Sequence, residues 1–484
     1  MSDVLAGLKP VLLWKHFSQL LRIPHGSGNE RALGDYIISV AKDLNLSWKR
    51  DKVGNVLVSK PATPGHEQAN GVILQGHMDM VNEKNSDVPH DFLKDAITAE
   101  IKGDWVQAKG TTLGSDNGIG VSAAMAVMED KTLVHGPLEF LFTVDEETGL
   151  TGANHLGKDF LKGRNLFNLD SEDEGTFTIG CSGGGDSVVF LPLQRKRRRL
   201  KESYRLRLYG FRGGHSGLDI NQGRGNAIRL LARLLYQAVD TFQFELVHLD
   251  GGNKRNAIPR EAWAELWING TEARKWQAFL KGAFAEVRNE YKAVEKEAQL
   301  AFEKTAPPVE APLTADAQVS LVRLLLTLPH GVISMHPEIA GLVETSTNLA
   351  VVHCDKAQAQ IICSSRSSVA SALAAVRQSI KALSELAGCR IIQEGGYPGW
   401  EPNLQSVLLK KLTEVYSQTF GKEPEIKAVH AGLECGIIGE KFPGMDMVSF
   451  GPTIEHPHSP EERVHTGSVE KFWTFLTASL REIG

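Results

Sequence analysis

The chain has 484 residues, 42% of them apolar and 23% charged, with a formal net charge of -5. Such a length exceeds what one hydrophobic core usually spans and predicts two domains. The mild acidity gives no sign of a nucleic-acid partner, and no apolar run reaches the roughly 18 residues of a membrane span.

The N-terminal segment has no basic n-region, and its apolar run Val11 to Trp14 stops at Lys15, so no signal peptide is predicted. The five cysteines, Cys181, Cys354, Cys363, Cys389 and Cys435, lack any C-x-x-C pair. That pattern argues against a disulfide framework or a thiolate metal site and fits a reducing, cytoplasmic setting.

Leu12, Leu13, Phe17 and Leu20 recur at helical spacing. Ser27-Gly28-Asn29-Glu30 then has the S-x-x-E form of a capping box, predicting a second helix over about 31–44. Short apolar runs typical of buried strands follow at 72–74, 138–144, 166–169 and 445–450. Each ends in a polar residue able to bind metal or move a proton, and open α/β sheets bind ligands beyond the carboxyl ends of their strands.

The middle of the chain reads differently. Tyr204, Leu206 and Leu208 alternate with Arg205, Arg207 and Tyr209, as in a half-solvated strand. Helices are expected at about 225–240, 271–300, 314–327 and 371–388, interleaved with strands near 244–250, 261–268, 348–353, 358–364 and 389–393. The fold class expected is α/β, with a mixed sheet flanked by helices. Residues 188–394 form an inserted α+β domain, and 1–187 with 395–484 form a discontinuous core. The basic run Arg195 to Arg199 reads as a solvated turn, since one such run in an acidic chain is a weak nucleic-acid signal.

Individually the polar motifs are weak. His77 and Asp79 in Gly76-His77-Met78-Asp79 pair an imidazole with a carboxylate able to orient it, yet such pairs arise by chance. Asp116 in Leu113-Gly114-Ser115-Asp116-Asn117-Gly118-Ile119-Gly120 could be a plain helix cap, or an acid that the glycines let approach two metals. Asp145-Glu146-Glu147 follow an apolar strand, where three adjacent acids repel unless cations sit nearby. One of Glu146 and Glu147 can bind metal while the other serves as base. Asp170 ends the next strand, and His456 and His458 compete as the last candidate. Two histidines and three acids without thiolate suit zinc, cobalt or manganese. Two divalent ions, three ligand carboxylates and one bridging hydroxide balance in charge, and that hydroxide is the nucleophile a hydrolase needs.

Taken together, H-M-D, L-G-S-D-N-G-I-G, D-E-E-T-G, N-L-D, G-G-H-S-G and H-S-P-E resemble the aminoacyl-histidine dipeptidases (Xaa-His dipeptidases, peptidase D) along essentially the whole chain. These are relatives of the carnosinases in the two-metal aminopeptidase and carboxypeptidase superfamily. The resemblance implies two zinc ions per subunit, replaceable by cobalt or manganese. His77 and Asp170 would hold one ion, Glu147 and His458 the other, and Asp116 would bridge them. Asp79 would orient His77 and Glu146 would accept the proton from the hydroxide's parent water. In the insert, His215 of Gly213-Gly214-His215-Ser216-Gly217 would reach the substrate carbonyl, and Asn256 and Arg366 would hold the substrate's terminal carboxylate.

The expected function is hydrolysis of dipeptides with free termini, carnosine-like Xaa-His substrates preferred. The chain would act as a homodimer through the inserted lid, without nucleic-acid or membrane partners. The rival expectations are an N-acyl amino acid deacylase of the same superfamily and a non-catalytic metal-dependent binding protein.

Overall fold

In a computed structural model that describes residues 4–483, the four apolar runs lie side by side. They are the strands Leu138–Thr143, Val72–His77, Asn165–Asn168 and Asp446–Ser449, parallel to one another. Val72–His77 is buried along its whole length, as a central strand covered on both faces must be. Antiparallel strands extend this centre on both sides, giving an eight-stranded mixed sheet. Helix Ser115–Glu129, apolar on all sides, packs between Val72–His77 and Val11–Leu20 and is itself buried almost throughout. A separate four-stranded sheet pairs Ile454–Glu455 with Arg463–His465, and the loop between those two strands carries His458.

The chain divides into two compact units, one of residues 1–181, 400–428 and 433–484, the other of residues 182–399 and 429–432. The second is built on a nine-stranded antiparallel sheet. In Glu202–Tyr209 the residues Tyr204, Leu206 and Leu208 are buried while Arg205 and Arg207 stay outside. The helices Ala227–Val239, Ala273–Glu290, Ala315–Thr327 and Ala370–Leu386 pack on this sheet and share its apolar core.

Two local expectations are corrected. The helix expected over 271–300 ends at Glu290, and Gln299–Lys304 is an edge strand paired with Glu202–Tyr209. The apolar pair Leu300 and Phe302 follows the two-residue period of a strand, and Phe302 stacks on Tyr204 with ring centroids 4.7 Å apart. The expected capping box does not form either. Helix Arg31–Asp43 begins after Glu30 with no side-chain cap, because Ser27 Oγ donates to Asp79 Oδ2 at 2.8 Å instead. Glu30 Oε1 accepts from the amides of Gly28 and Asp145.

Candidate metal centre

Beyond the carboxyl ends of the parallel strands, His77, Asp116, Glu147, Asp170 and His458 come together in two overlapping triads. His77, Asp116 and Asp170 form one; Asp116, Glu147 and His458 form the other. His77 Nε2 lies 3.2 Å from Asp116 Oδ1 and 3.2 Å from Asp170 Oδ1. His458 Nε2 lies 3.2 Å from Asp116 Oδ2 and 3.0 Å from Glu147 Oε1. Asp116 thus turns one carboxylate oxygen to each triad. Donors about 2.0 Å from a tetrahedral zinc stand roughly 3.3 Å apart, so these spacings fit ligands sharing an ion. Glu147 Oε1 is buried with the His458 ring beside it, and a cation between the two would satisfy both. Of the two competing histidines, only His458 belongs to these triads.

Each candidate ligand has a local reason for its place. The Nδ1 of His77 faces the main-chain carbonyl of Asp79 at 3.0 Å, which leaves Nε2 free to point at the acids. The Asp79 carboxylate is farther from that ring, 3.5 Å. Its oxygens instead accept from the amides of Glu146 and Glu147 at 3.0 and 3.2 Å. Asp79 therefore holds His77 mainly through its backbone and the two glutamates through its side chain, a role the motif alone does not reveal.

Asp116 sits where Ser115–Glu129 is interrupted by non-helical backbone, joined to Asn117 by a cis peptide. Gly114 ahead of it has φ 73°, a left-handed conformation that glycine adopts without strain. A Cβ on Gly120 would lie 2.4 Å from the carbonyl of Leu169, so only glycine lets this segment approach the strand end that carries Asp170.

Two buried acids that the motifs did not single out support the centre. Glu462, four residues after His458, accepts from the amides of Leu113, Gly114, Ser115 and Asp116 and from Ser115 Oγ. Glu434 accepts from Gln75 Nε2 and Thr143 Oγ1, both at 2.6 Å, while its other oxygen is buried and unpartnered. The run H-S-P-E-E hinted at Glu462. Nothing in the sequence around Glu434 marks it.

Burial governs the protonation of these groups. It pushes Glu434 up to about 7, Asp170 to about 6 and Glu172 to about 8, with neighbouring carboxylates adding to each shift. Glu146 is raised well above the usual carboxylate range by burial and then by Asp170, Glu434 and Glu147. Burial acts on Asp79 in the same sense, but the nearby His77 ring and the Glu146 amide outweigh it and hold Asp79 near 2. His458 is drawn up to about 11 by its contacts with Asp116 and Glu147. Acids this crowded strongly favour a bound cation.

In the second unit, His215 lies in Gly214–His215, paired with Ala257–Ile258. Its Nδ1 accepts from the amides of Gly217 and Leu218, so the ring proton sits on Nε2, free to donate. Burial and the nearby Arg366 guanidinium lower its pKa. Arg366 is 8% exposed, with Nη1 on the Tyr397 hydroxyl at 2.8 Å and Nε unpartnered. Asn256 is exposed on its loop, where its main-chain carbonyl accepts from the Ser216 amide. Sequence reasoning missed His430, buried beside Ser346 at 2.7 Å and affected by Arg366 and His215.

Overlapping imidazole and carboxylate triads beyond the carboxyl ends of parallel strands are the arrangement of a metal-dependent hydrolase. Comparison with known proteins narrows this class. The model of peptidase family M20/M25/M40 matches residues 73–482, and the chain belongs to that family. It is 42% identical over 480 residues to the cytosol non-specific dipeptidase of Escherichia coli, covering 99% of both chains. It is 40% identical to the aminoacylhistidine dipeptidase of Vibrio alginolyticus, with a TM-score of 0.92 over 98% of this chain and 97% of that one. A Bacillus cereus aminopeptidase, 16% identical with a TM-score of 0.56 over 98% and 99% of the chains, shares the fold.

Proposed function

We infer that this chain is a dinuclear metallopeptidase that hydrolyses dipeptides, with His77 and Asp170 on one ion, Glu147 and His458 on the other, and Asp116 across both. Full-length likeness to two dipeptidases supports the activity. The sharing of Asp116 between two donor triads carries the metal assignment. Imidazole and carboxylate donors without thiolate favour zinc, with cobalt or manganese as substitutes. A cytosolic setting follows the Escherichia coli relative. No helix among the described residues is long and apolar enough to cross a membrane.

Two divalent ions at this centre would polarise the scissile carbonyl and acidify water. The chain's own groups handle the protons and the substrate. Glu146 takes a proton from the attacking water and returns it to the leaving amine, both halves of general acid–base catalysis by one carboxyl. Asp79 fixes Glu146 through its amide. We assign the donor Nε2 of His215 to the substrate's carbonyl oxygen and Arg366, with Asn256, to its terminal carboxylate. A substrate gripped at both places is short, and Xaa-His dipeptides are the preference we assign. We further assign the second unit the role of lid and homodimer contact.

Product analysis on a panel of free, N-acetylated and C-terminally amidated dipeptides tests this reading. Free dipeptides, Xaa-His foremost, should be cleaved fastest. Faster cleavage of the N-acetylated members would make the chain a deacylase.

A further inference from the structure

The nine-stranded sheet of the second unit consists of two antiparallel blocks that meet at one seam. Phe244–Gly251 ends one block and Val343–Cys354 opens the other, and these strands share a single registered pair, Gly251 with Val352. Each is registered along most of its length with its neighbour on the other side. The seam is therefore the weakest ladder in the sheet, held by few backbone bonds.

Three metal-type donors flank it. Strand alternation puts His248 and Asp250 on one half-buried face of Phe244–Gly251, and His353 faces Asp250 one residue beyond the registered pair. His248 Nε2 lies 2.5 Å from Asp250 Oδ2, and His353 Nδ1 lies 2.9 Å from Asp250 Oδ1. One donor atom from each residue falls within 4.8 Å of the other two. The group is braced: the Cys354 amide donates to Asp250 Oδ1 at 3.1 Å, and the Trp263 ring stacks on His248 with centroids 4.9 Å apart. Asp250 and His353 also line a surface cavity of about 810 Å³, which gives an ion access and room for a water as a further ligand.

We propose that His248, Asp250 and His353 bind one divalent first-row transition ion, zinc by the donor set, and that this ion cross-links the two blocks of the sheet across their seam. Two imidazoles and a carboxylate with an open fourth position form a three-ligand zinc set once the two rings draw back from Asp250 to the roughly 3.3 Å that donors sharing a zinc keep. The unfolded chain separates His353 from the other two by about a hundred residues, so the ion favours the folded state by mass action. The site involves none of the residues of the candidate metal centre, so it stands or falls independently of the peptidase reading. The competing outcome is that Asp250 merely accepts hydrogen bonds from two imidazoles.

The test uses the full-length protein equilibrated over a series of buffered free zinc concentrations, beside the His248→Ala/His353→Ala double variant and the single variant His353→Gln. The wild type should hold one more zinc per chain than either variant by elemental analysis. Its thermal midpoint should also rise with free zinc over a range where theirs stays flat. His353 is largely exposed, so His353→Gln keeps the fold and the comparison remains decisive if the double variant does not. Equal zinc content in all three proteins would overturn the site, and an extra ion without a midpoint shift would overturn the cross-link.

Discussion

Glu146 and Glu147 are adjacent, yet their surroundings differ. Glu147 faces His458, while Glu146 sits among Asp170, Glu434 and Glu147 and carries a raised pKa. Glu146→Gln removes a base and leaves every proposed ligand. It should keep its metal by elemental analysis while turnover falls about 10²–10⁴-fold, and near-normal turnover would remove Glu146 from the proton-transfer role. Glu462 tests the support of the bridge. All the bonds it receives come from the segment that carries Asp116, and a glutamine there would set an NH₂ group against amide donors. Glu462→Gln should weaken metal retention roughly 10–100-fold in a chelator competition, the usual effect of losing a partner behind a ligand. Unchanged retention would show that the glycine-rich segment holds Asp116 unaided.

Elements matter here mainly through their ends. Ser27 looked like the cap of Arg31–Asp43 but bonds to Asp79, which in turn caps the single turn Glu146–Gly149. Ser27→Ala should therefore leave amide exchange at the start of Arg31–Asp43 unchanged. It should speed exchange at Glu146 and Glu147 and lower stability by about 1.5–3 kcal/mol, the worth of a hydrogen bond to a charged group. Faster exchange at Leu33 and Gly34 instead would restore the capping role. The motif was legible and its use was not, because S-x-x-E states which bonds a serine can make locally and is silent about an acid 52 residues away.

At the scale of the molecule, two histidines, the buried His430 and the half-buried His330, set the acid limit of the second unit. Burial lowers His330 to about 4, with Arg229 adding to the effect, and burial lowers His430 to about 4 as well. His330 Nδ1 lies 3.2 Å from Asn226 Nδ2 and 3.4 Å from the Leu349 amide, so the ring serves there as a neutral acceptor. The unfolded chain protonates these rings near pH 6.5 and the folded one near pH 4, so stability is lost as pH falls through that window. Each ring contributes up to about 3 kcal/mol of that loss. Denaturant unfolding at pH 7 and pH 4.5 should show the drop, and His330→Asn, which keeps an acceptor that does not titrate, should reduce it. An equal drop in the variant would place the acid sensitivity elsewhere. The homodimer assignment has its own check: mixing inactive His215→Ala and Glu146→Gln subunits should restore partial activity if His215 acts on the neighbouring chain. Mixed dimers without recovery would place His215 within its own subunit.

The sequence by itself determined the buried parallel strands, the acids and histidines at their ends and the family the chain belongs to. Those signals are local: a run of Val, Leu and Phe marks a covered strand, and a glycine-flanked acid marks a special turn wherever the chain goes. Tertiary structure alone decided that His458 rather than His456 joins Asp116, that Asp79 acts on Glu146 and Glu147 through their amides, and that Glu434 and Glu462 stand behind the centre. It also brought His248 and Asp250 to His353, from strands about a hundred residues apart. A carboxylate's partner is whatever donor the fold places about 3 Å away, and when that donor is a backbone amide from a distant segment, no residue type in the sequence announces it.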